Sequence, residues 1–282
     1  MAEPGSIVAG YDGSAEAADA VRWAAGHAQL RGFALHVVHC SIWPLLTRNL
    51  GPVPGVADSG LERSAEAILK DGVNHARAAA PGLHVEATLL HGLPASHLAM
   101  IASGGEMIVV GSRGLGGFLG LLVGSVSLEL AATAHCPVAV IRQDLHPDGP
   151  VVVAVDASGS PPALEDACAM AMAWQAGLKV VHVHQLPPGH GQRNTIEAEA
   201  AAGNALQAAL HRARTLAPYV PVEGSVLLDT SVPHAILKAA ADARMLVVGT
   251  TGRGFVRETI GSTAHAVLHH ARGPVLISRR GS

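Results

Sequence analysis

The sequence predicts two tandem α/β domains, each a five-stranded, doubly wound parallel sheet flanked by helices. Three observations lead to this fold class. The chain has 282 residues, which suits two domains of ordinary size. Short apolar runs alternate with longer segments of helical periodicity, which is typical of a parallel sheet covered by helices. The first half of the chain is also repeated in the second half.

The repeat is visible in four segments that return in the same order. They begin at Ile7, Met107, Val123 and Pro137, and they recur at Val152, Met245, Ile260 and Pro274. The separation changes little, from 144 residues between Asp12 and Asp156 to 137 between Pro137 and Pro274. We therefore predict domain 1 at residues 1–143 and domain 2 at residues 150–282, joined through the polar stretch 143–149.

In domain 1, an apolar run at residues 5–11 predicts the first strand, and Ser14 is a typical N-cap for the helix that follows. Pro81 and Gly82 end the Ala-rich second helix. The predicted strands are residues 5–11, 33–40, 84–91, 106–111 and 137–142, and the predicted helices are residues 15–31, 59–80, 94–103 and 125–133.

Domain 2 repeats this order. Its predicted strands are residues 151–155, 178–184, 222–228, 245–249 and 275–278, and its predicted helices are residues 162–175, 195–216, 233–241 and 262–270. In such folds, ligands bind beyond the carboxyl ends of the strands, at the point where the strand order reverses.

Composition excludes several classes of protein. The net charge of -3 argues against a basic surface that coats nucleic acid, and aromatic residues make up only 3%. The N-terminus lacks the pattern of a signal peptide, and the most apolar stretch, residues 115–128, is too short and too rich in glycine to span a membrane. Three cysteines do not make a disulfide framework. We expect a cytoplasmic protein with no nucleic-acid or membrane partner.

Two loops of domain 1 contain the residues that a mononucleotide site needs. Asp12 ends the first strand, where its carboxylate can accept hydrogen bonds from ribose hydroxyls. The fourth strand runs into a Gly-rich loop at residues 111–117 that carries Arg113, and a helix then begins near Ser125 and Ser127. Glycine allows close approach of the backbone, and the free N–H groups of a helix start attract phosphate. Together the loops predict a Rossmann-like, nucleotide-binding site.

These motifs resemble the universal stress protein family. Gly111-x-x-Gly114, nine residues and then Gly124-Ser125 is similar to the nucleotide-binding signature of that family. Asp12, the LHVVH run at residues 35–39, Gly92-x-Pro94, VVGSRGLGGF at residues 109–118 and Cys136-Pro137-Val138 also fit its pattern. The resemblance covers both halves and implies a tandem member that binds ATP, with Mg²⁺ as an optional companion ion, and that regulates a stress response with little or no turnover.

The resemblance assigns roles by position. Asp12 would hold the ribose, and the backbone near Cys40 would face adenine. Val110, Gly111, Arg113 and Gly114 would line the ribose and phosphates, and Gly124, Ser125, Val126 and Ser127 would hold phosphates. The matching positions of domain 2 are Asp156, Val183, Gly249, Gly252, Gly261, Ser262 and Thr263.

Domain 2 departs from the signature. Eight residues separate Gly252 from Gly261 instead of nine, and Thr251 takes the position of Arg113. The shorter loop carries Arg257 and Glu258. We expect domain 1 to bind ATP well and domain 2 to bind weakly or to be mainly structural.

Two alternatives stay open. One is an adenine-nucleotide-dependent enzyme, either a slow ATPase or an adenylating enzyme. It is disfavoured because the three lysines, Lys70, Lys179 and Lys238, all follow leucine, so no Gly-Lys-Ser/Thr loop exists. The other is a pure interaction module whose final strands, at residues 137–142 and 275–279, pair as sheet edges. The resemblance implies a homodimer or an intramolecular pairing of the two domains through these strands.

Three further features have uncertain roles. His265 and His269 are spaced as a metal-binding pair, but no third ligand is identifiable, so no metal site is predicted. Cys40, at the carboxyl end of a strand, is a candidate redox sensor. Residues 41–58 are longer than the matching segment of domain 2, and they suit either a lid or a partner surface.

Overall fold

The structure is a computed structural model that describes residues 5–42, 60–114, 123–142, 146–186, 195–250 and 260–279, with the backbone alone for residues 195–199. The chain divides into two compact units, Met1–Arg142 and Gln143–Ser282. We call them domain 1 and domain 2. This division agrees with the tandem arrangement that the internal repeat predicts.

Domain 1 contains a sheet of five parallel strands in the order β3-β2-β1-β4-β5. Its elements are β1 (Ser6–Gly10), α1 (Ala15–Arg31), β2 (Ala34–Ser41), α2 (Gly60–Ala79), β3 (Val85–His91), α3 (Pro94–Ile101), β4 (Met107–Gly111), α4 (Ser125–Thr133) and β5 (Val138–Ile141). The strand order reverses between β1 and β4, so the expected ligand crevice lies beyond the carboxyl ends of these two strands.

Domain 2 repeats the topology, with five parallel strands in the order β8-β7-β6-β9-β10. Its elements are β6 (Val151–Val155), α5 (Pro161–Trp174), β7 (Leu178–Gln185), α6 (Thr195–Leu216), β8 (Val222–Asp229), α7 (Val232–Ala239), β9 (Met245–Gly249), α8 (Ser262–His270) and β10 (Val275–Ser278). The predicted fold class, two doubly wound domains, is confirmed.

The first helix of domain 1 shows why the sequence folds in this way. Its buried side is almost entirely alanine, which lets α1 approach the aliphatic sheet closely. The predicted N-cap, Ser14, is confirmed because its hydroxyl accepts a hydrogen bond from the backbone N–H of Ala17 at 3.2 Å. Gly32 ends the helix in the left-handed conformation that glycine tolerates.

The equivalent helix of domain 2, α5, begins later. From Asp12 to the first residue of α1 is three positions, whereas Asp156 precedes the start of α5 at Pro161 by five. Pro161 and Pro162 prevent the helix from continuing backwards, since the residue before a proline is forced out of the helical conformation. Relative to its aspartate, α5 therefore lacks the first two helical positions that α1 has.

Some predicted helix ends were displaced by one or two residues. The helix predicted at residues 94–103 ends at Ile101, and the one predicted at residues 233–241 is Val232–Ala239. Such shifts are expected because helix ends fray and propensity locates them poorly. Within the described ranges, no helix is long and apolar enough to cross a membrane.

Candidate functional site

The carboxylate of Asp12 lies at the carboxyl end of β1, at the predicted switch point. Its Oδ1 accepts hydrogen bonds from the backbone N–H of Ser14 at 3.0 Å and from the Ser14 hydroxyl at 2.6 Å. These two bonds orient the carboxylate toward the loop after β4. A Cβ added to Gly114 would stand 2.2 Å from Asp12 Oδ2, so a larger residue here would displace the carboxylate from this position. The structure thus brings Asp12 and Gly114 together.

Gly111 ends β4 at the point where this strand packs closely against the start of α1. A Cβ at this position would lie 2.8–2.9 Å from backbone atoms of Glu16 and Ala17 in the first turn of α1. Backbone cannot move aside as a flexible side chain can, so the close packing of β4 against α1 requires glycine. The adjacent residue, Val110, is buried with its side chain in the core, which leaves only its backbone to line a ligand.

Gly124 places the start of α4 beside the same loop. Its backbone N–H donates to the Ser112 carbonyl at 2.7 Å, and α4 has no side-chain cap. Because Gly124 has no side chain to accept from them, the N–H groups of Ser125 and Val126 in the first helical turn can donate to an anion. Ser125 is exposed and Val126 half-buried. The connecting residues 115–122, which the sequence places in the phosphate loop, lie outside the described residues.

Ser127 does not take the position expected of it. The sequence suggested that its hydroxyl would hold a phosphate, but Ser127 is buried and its hydroxyl donates to the Gly111 carbonyl at 2.9 Å. Ser127 lies two residues, about 200° of helix rotation, beyond the exposed Ser125, so its side chain points to the opposite, buried side of α4. Ser127 thus supports the site by tying the end of β4 to α4.

Two arginines supply positive charge at this edge of domain 1. Arg113, the predicted cation, forms an ion pair with Glu16 at 2.9 Å. Arg142, which immediately follows β5, was missed in the sequence. Burial, followed by the charge of Arg113, lowers the pKa of its guanidinium to about 10. Arg142 still remains charged at neutral pH. Its repetition at Arg279 was the available signal.

Cys40 lies near the end of β2, in register with Leu90 of β3. It is half-buried, and burial raises the pKa of its thiol to about 11. The thiolate is the reactive form of cysteine, so this environment does not favour the redox-sensing hypothesis. The backbone at Cys40 remains the part of the residue that could face a base.

A buried histidine behind the site also escaped the sequence reasoning. His39 Nδ1 lies 2.8 Å from the Tyr11 carbonyl, immediately before Asp12. A carbonyl oxygen only accepts, so Nδ1 carries the proton and donates. Domain 2 repeats the contact, with His182 Nδ1 at 2.9 Å from the Val155 carbonyl before Asp156. The LHVVH run contained the signal, but only the sheet shows what the imidazole binds.

Tyr11 links the Asp12 loop to helix α2. Its hydroxyl donates to the Asp71 carboxylate, and its ring lies against Gly72, where a Cβ would come within 2.7 Å of the ring. Burial, followed by the hydrogen bond and the charge of Asp71, raises the pKa of Tyr11 well above its usual value. Domain 2 has Val155 at the matching position and so lacks this connection.

In domain 2, Asp156 Oδ1 accepts hydrogen bonds from the Ser158 N–H at 2.8 Å and from the Ser158 and Ser160 hydroxyls at 2.5 and 3.2 Å. Burial acts to raise the pKa of this carboxyl, but these hydrogen bonds outweigh it and the pKa is lowered. The carboxylate is therefore ionised at neutral pH.

The loop after β9 keeps only part of the geometry seen in domain 1. Gly261 donates to the Thr250 carbonyl at 2.7 Å, as Gly124 does to Ser112, but a Cβ on Gly249 would meet none of the described residues within 4 Å. Ser262 is exposed, and Thr263 and Val183 are half-buried. Gly252 lies outside the described residues.

Metal binding has no support in the described ranges, where no group of three or more His, Cys, Asp or Glu side chains could hold an ion. The rings of His265 and His269 approach within 4.5 Å between centroids on α8. They stand as a pair without a third ligand among these residues.

Two doubly wound domains, each with small residues where its strand order reverses, define a tandem α/β protein of the Rossmann-like class. The model of the universal stress protein family matches residues 5–142 and again residues 149–279. The chain belongs to the universal stress protein family.

Relatives of similar length support this assignment. Universal stress protein Rv2005c of Mycobacterium tuberculosis (strain ATCC 25618 / H37Rv) is 34% identical over 292 residues, which cover 97% of each chain. Universal stress protein Rv2623 of the same strain is 31% identical over 291 residues, covering 97% of this chain and 96% of the relative. A crystal structure of a universal stress protein from Archaeoglobus fulgidus DSM 4304 has a similar fold, with a TM-score of 0.70 at 23% identity over 98% of this chain and 97% of that one.

Proposed function

We propose that the protein is an ATP-binding regulator of a stress response, with domain 1 as its principal nucleotide site. The observation that carries the proposal is the contact between Asp12 and Gly114, beside the uncapped start of α4. It supports the proposal because a carboxylate that can accept from ribose hydroxyls and N–H groups that can donate to phosphate lie at one edge of the sheet. Arg113 and Arg142 add the positive charge that a triphosphate needs.

We propose that the nucleotide is held rather than turned over. The acidic groups at this edge are already engaged, since Asp12 accepts from Ser14 and Glu16 pairs with Arg113. A general base must be able to reach the proton that it removes. A slow ATPase or an adenylating enzyme is the weaker candidate for this reason. Mg²⁺ would accompany the phosphates as part of the ligand.

A matched pair of glycine variants tests the site. Gly114→Val would place atoms where Asp12 Oδ2 lies, so it should abolish ATP binding measured by isothermal titration calorimetry. Gly26→Ala is the control, because a Cβ at that position on α1 meets nothing within 4 Å. Identification of co-purified nucleotide by mass, after denaturation of the unmodified protein, provides an independent measurement. Normal ATP affinity in Gly114→Val would refute the site.

The protein can regulate a response if ATP occupancy of domain 1 changes how the chain assembles. We propose that ATP in domain 1 alters homodimerisation or partner contacts of this cytoplasmic protein. Sedimentation velocity with and without ATP measures this directly, and Gly114→Val should remove any nucleotide-dependent change. A sedimentation coefficient that is the same in both conditions would contradict control of homodimerisation.

A further inference from the structure

Helix α2 lies against the turn that carries Asp12 and contacts the residues on both sides of that aspartate. The side chain of Ile68 lies 3.7 Å from the position that a Cβ on Gly13 would take. On the other side, the Tyr11 hydroxyl donates to Asp71. We propose that Tyr11 and Asp71 are positioning residues that hold Asp12 in place and thereby set the ATP affinity of domain 1. This inference deepens the proposed function and rests on it.

Tyr11 is held at four points. Its backbone N–H donates to the Val38 carbonyl at 2.9 Å, and its own carbonyl accepts from His39 at 2.8 Å. Its ring is buried against Gly72 of α2, where a Cβ would come within 2.7 Å of the ring. Its hydroxyl reaches Asp71 of the same helix. The first two contacts belong to the sheet, so the ring and the hydroxyl are what joins the turn to α2.

The hydrogen bonds of Asp12 with Ser14 orient its carboxylate within the turn. Both partners belong to that turn, so these bonds do not fix the turn relative to α2. The contacts of Tyr11 and Gly13 with the helix do so. If the turn loosens, Asp12 spends part of the time out of place. The apparent affinity for a ligand then falls in proportion to the fraction of sites that are competent to bind it.

Asp71 is itself held by a network between α1 and α2. His75 follows it by one helical turn, with Nε2 at 3.5 Å from the Asp71 carboxylate and Nδ1 at 3.2 Å from Arg22 of α1. Arginine only donates hydrogen bonds, so Nδ1 accepts and Nε2 carries the proton that faces Asp71. Arg22 is also paired with Asp19 of its own helix. The acceptor of the Tyr11 hydroxyl is therefore anchored to both helices.

Domain 2 keeps the pairing of its helices but lacks the link to its aspartate. The second helices align without a gap, because Ala80-Pro81 follows α2 and Ala217-Pro218 follows α6 at a separation of 137 residues. The contact between the first and second helices is retained as an ion pair of Glu165 with Arg212 at 2.5 Å. The link itself is replaced by residues without hydrogen-bonding side chains: Val155 for Tyr11, Ala208 for Asp71 and Ala209 for Gly72.

Calorimetry of ATP binding to the full-length chain tests the link. Tyr11→Phe and Asp71→Ala should each weaken binding about threefold to tenfold, as expected if a third to a tenth of the sites stay competent. The double variant should bind no more weakly than either single variant, because both remove the same hydrogen bond. Asp71→Asn removes the same charge as Asp71→Ala but keeps an accepting oxygen, so its affinity should stay within about twofold of the unmodified chain.

Glu165→Ala is the matched control, because it breaks the helix pair of domain 2 and should leave ATP affinity unchanged. If Tyr11→Phe does not fold, Tyr11→Val combined with Gly72→Ala reproduces the packing of domain 2 and should weaken ATP binding by the same factor.

A spectroscopic measurement separates positioning from packing. The sequence has two tyrosines, so Tyr219→Phe leaves Tyr11 as the single tyrosine, and an isotope label on the phenol carbon then gives one NMR signal. Tyr219 is 97% exposed, so this substitution leaves the fold intact. The signal should shift when Asp71→Ala removes the acceptor, and it should shift again in the unmodified network when ATP is added.

The outcomes separate the two claims. If the unmodified chain binds no ATP, the proposed function fails and the positioning role fails with it. If the unmodified chain binds ATP and Tyr11→Phe binds it equally tightly, the proposed function stands and the positioning role is refuted. Equal affinities of Asp71→Asn and Asp71→Ala, an equal loss in Glu165→Ala, or a Tyr11 signal that ATP leaves unmoved would each overturn the positioning role as well.

Discussion

Gly111 and Gly249 occupy the same place in the repeat, yet their surroundings differ. Gly111 lies against the backbone of α1 and its carbonyl accepts from Ser127, whereas a Cβ on Gly249 would meet no atom of the described residues within 4 Å. The cause lies elsewhere in the chain, in the two prolines that delay the start of α5 and in the alanine at position 264. Retention of a signature glycine thus does not preserve the packing that made glycine necessary.

The largest expected difference between the domains is the loss of ATP affinity when Asp12 or Asp156 is replaced. Asp12→Asn keeps an oxygen for Ser14 but replaces the ribose acceptor Oδ2 with a donor, which should weaken ATP binding by about ten- to a hundredfold. The matched variant Asp156→Asn should leave the affinity of the principal ATP site unchanged. Calorimetry on the full chain compares them. An equal loss in both variants would show that the sites are equivalent.

The two glycines should differ in their effects on stability. Gly111→Ala forces a Cβ against the backbone of Glu16 and Ala17, so it should lower the free energy of unfolding by about 1–3 kcal/mol. Gly249→Ala meets no atom within 4 Å among the described residues and should change the free energy of unfolding by less than about 0.5 kcal/mol. Urea unfolding followed by circular dichroism measures both. Comparable destabilisation by the two variants would contradict the difference in packing.

The hydrogen bond from histidine to the carbonyl before the aspartate should stabilise both domains by a similar amount. His39→Leu removes the donor to the Tyr11 carbonyl and should cost about 1–2 kcal/mol of stability and weaken ATP binding several-fold. His39→Asn can restore a donor close to the position of Nδ1 and should recover most of the affinity. His182→Leu should lower stability by a similar amount without affecting the ATP site. Failure of asparagine to recover binding would argue that the imidazole acts only through its volume.

The smallest expected effect belongs to Ser127. Ser127→Ala leaves the Gly111 carbonyl without this donor and makes domain 1 resemble domain 2 at position 264, at a cost of about 1 kcal/mol. ATP affinity should fall only slightly, because the hydroxyl points into the protein. A loss of binding comparable to that of Asp12→Asn would instead place the hydroxyl on the ligand.

The sequence predicts the candidate site of domain 1 because its main residues follow strands at recognisable positions. Asp12, Gly111 and Gly124 are marked by the ends of apolar runs and by a spacing that is repeated in the second half. Ser127 was misjudged because a serine in the first turn of a helix can point either to solvent or to the core. Glu16, His39 and Arg142 were missed because each had an ordinary structural interpretation.

The sequence by itself determined the duplication, the alternation of strands and helices, and the family to which both halves belong. These features depend on local patterns and on spacing along the chain. Only the tertiary structure decided which glycine is crowded, which serine faces inward and which carboxylate is buried. Those properties arise between residues far apart in sequence, such as Asp166 and Ser278, which lie 112 positions apart. Packing brings such pairs together, and no periodicity along the chain records it.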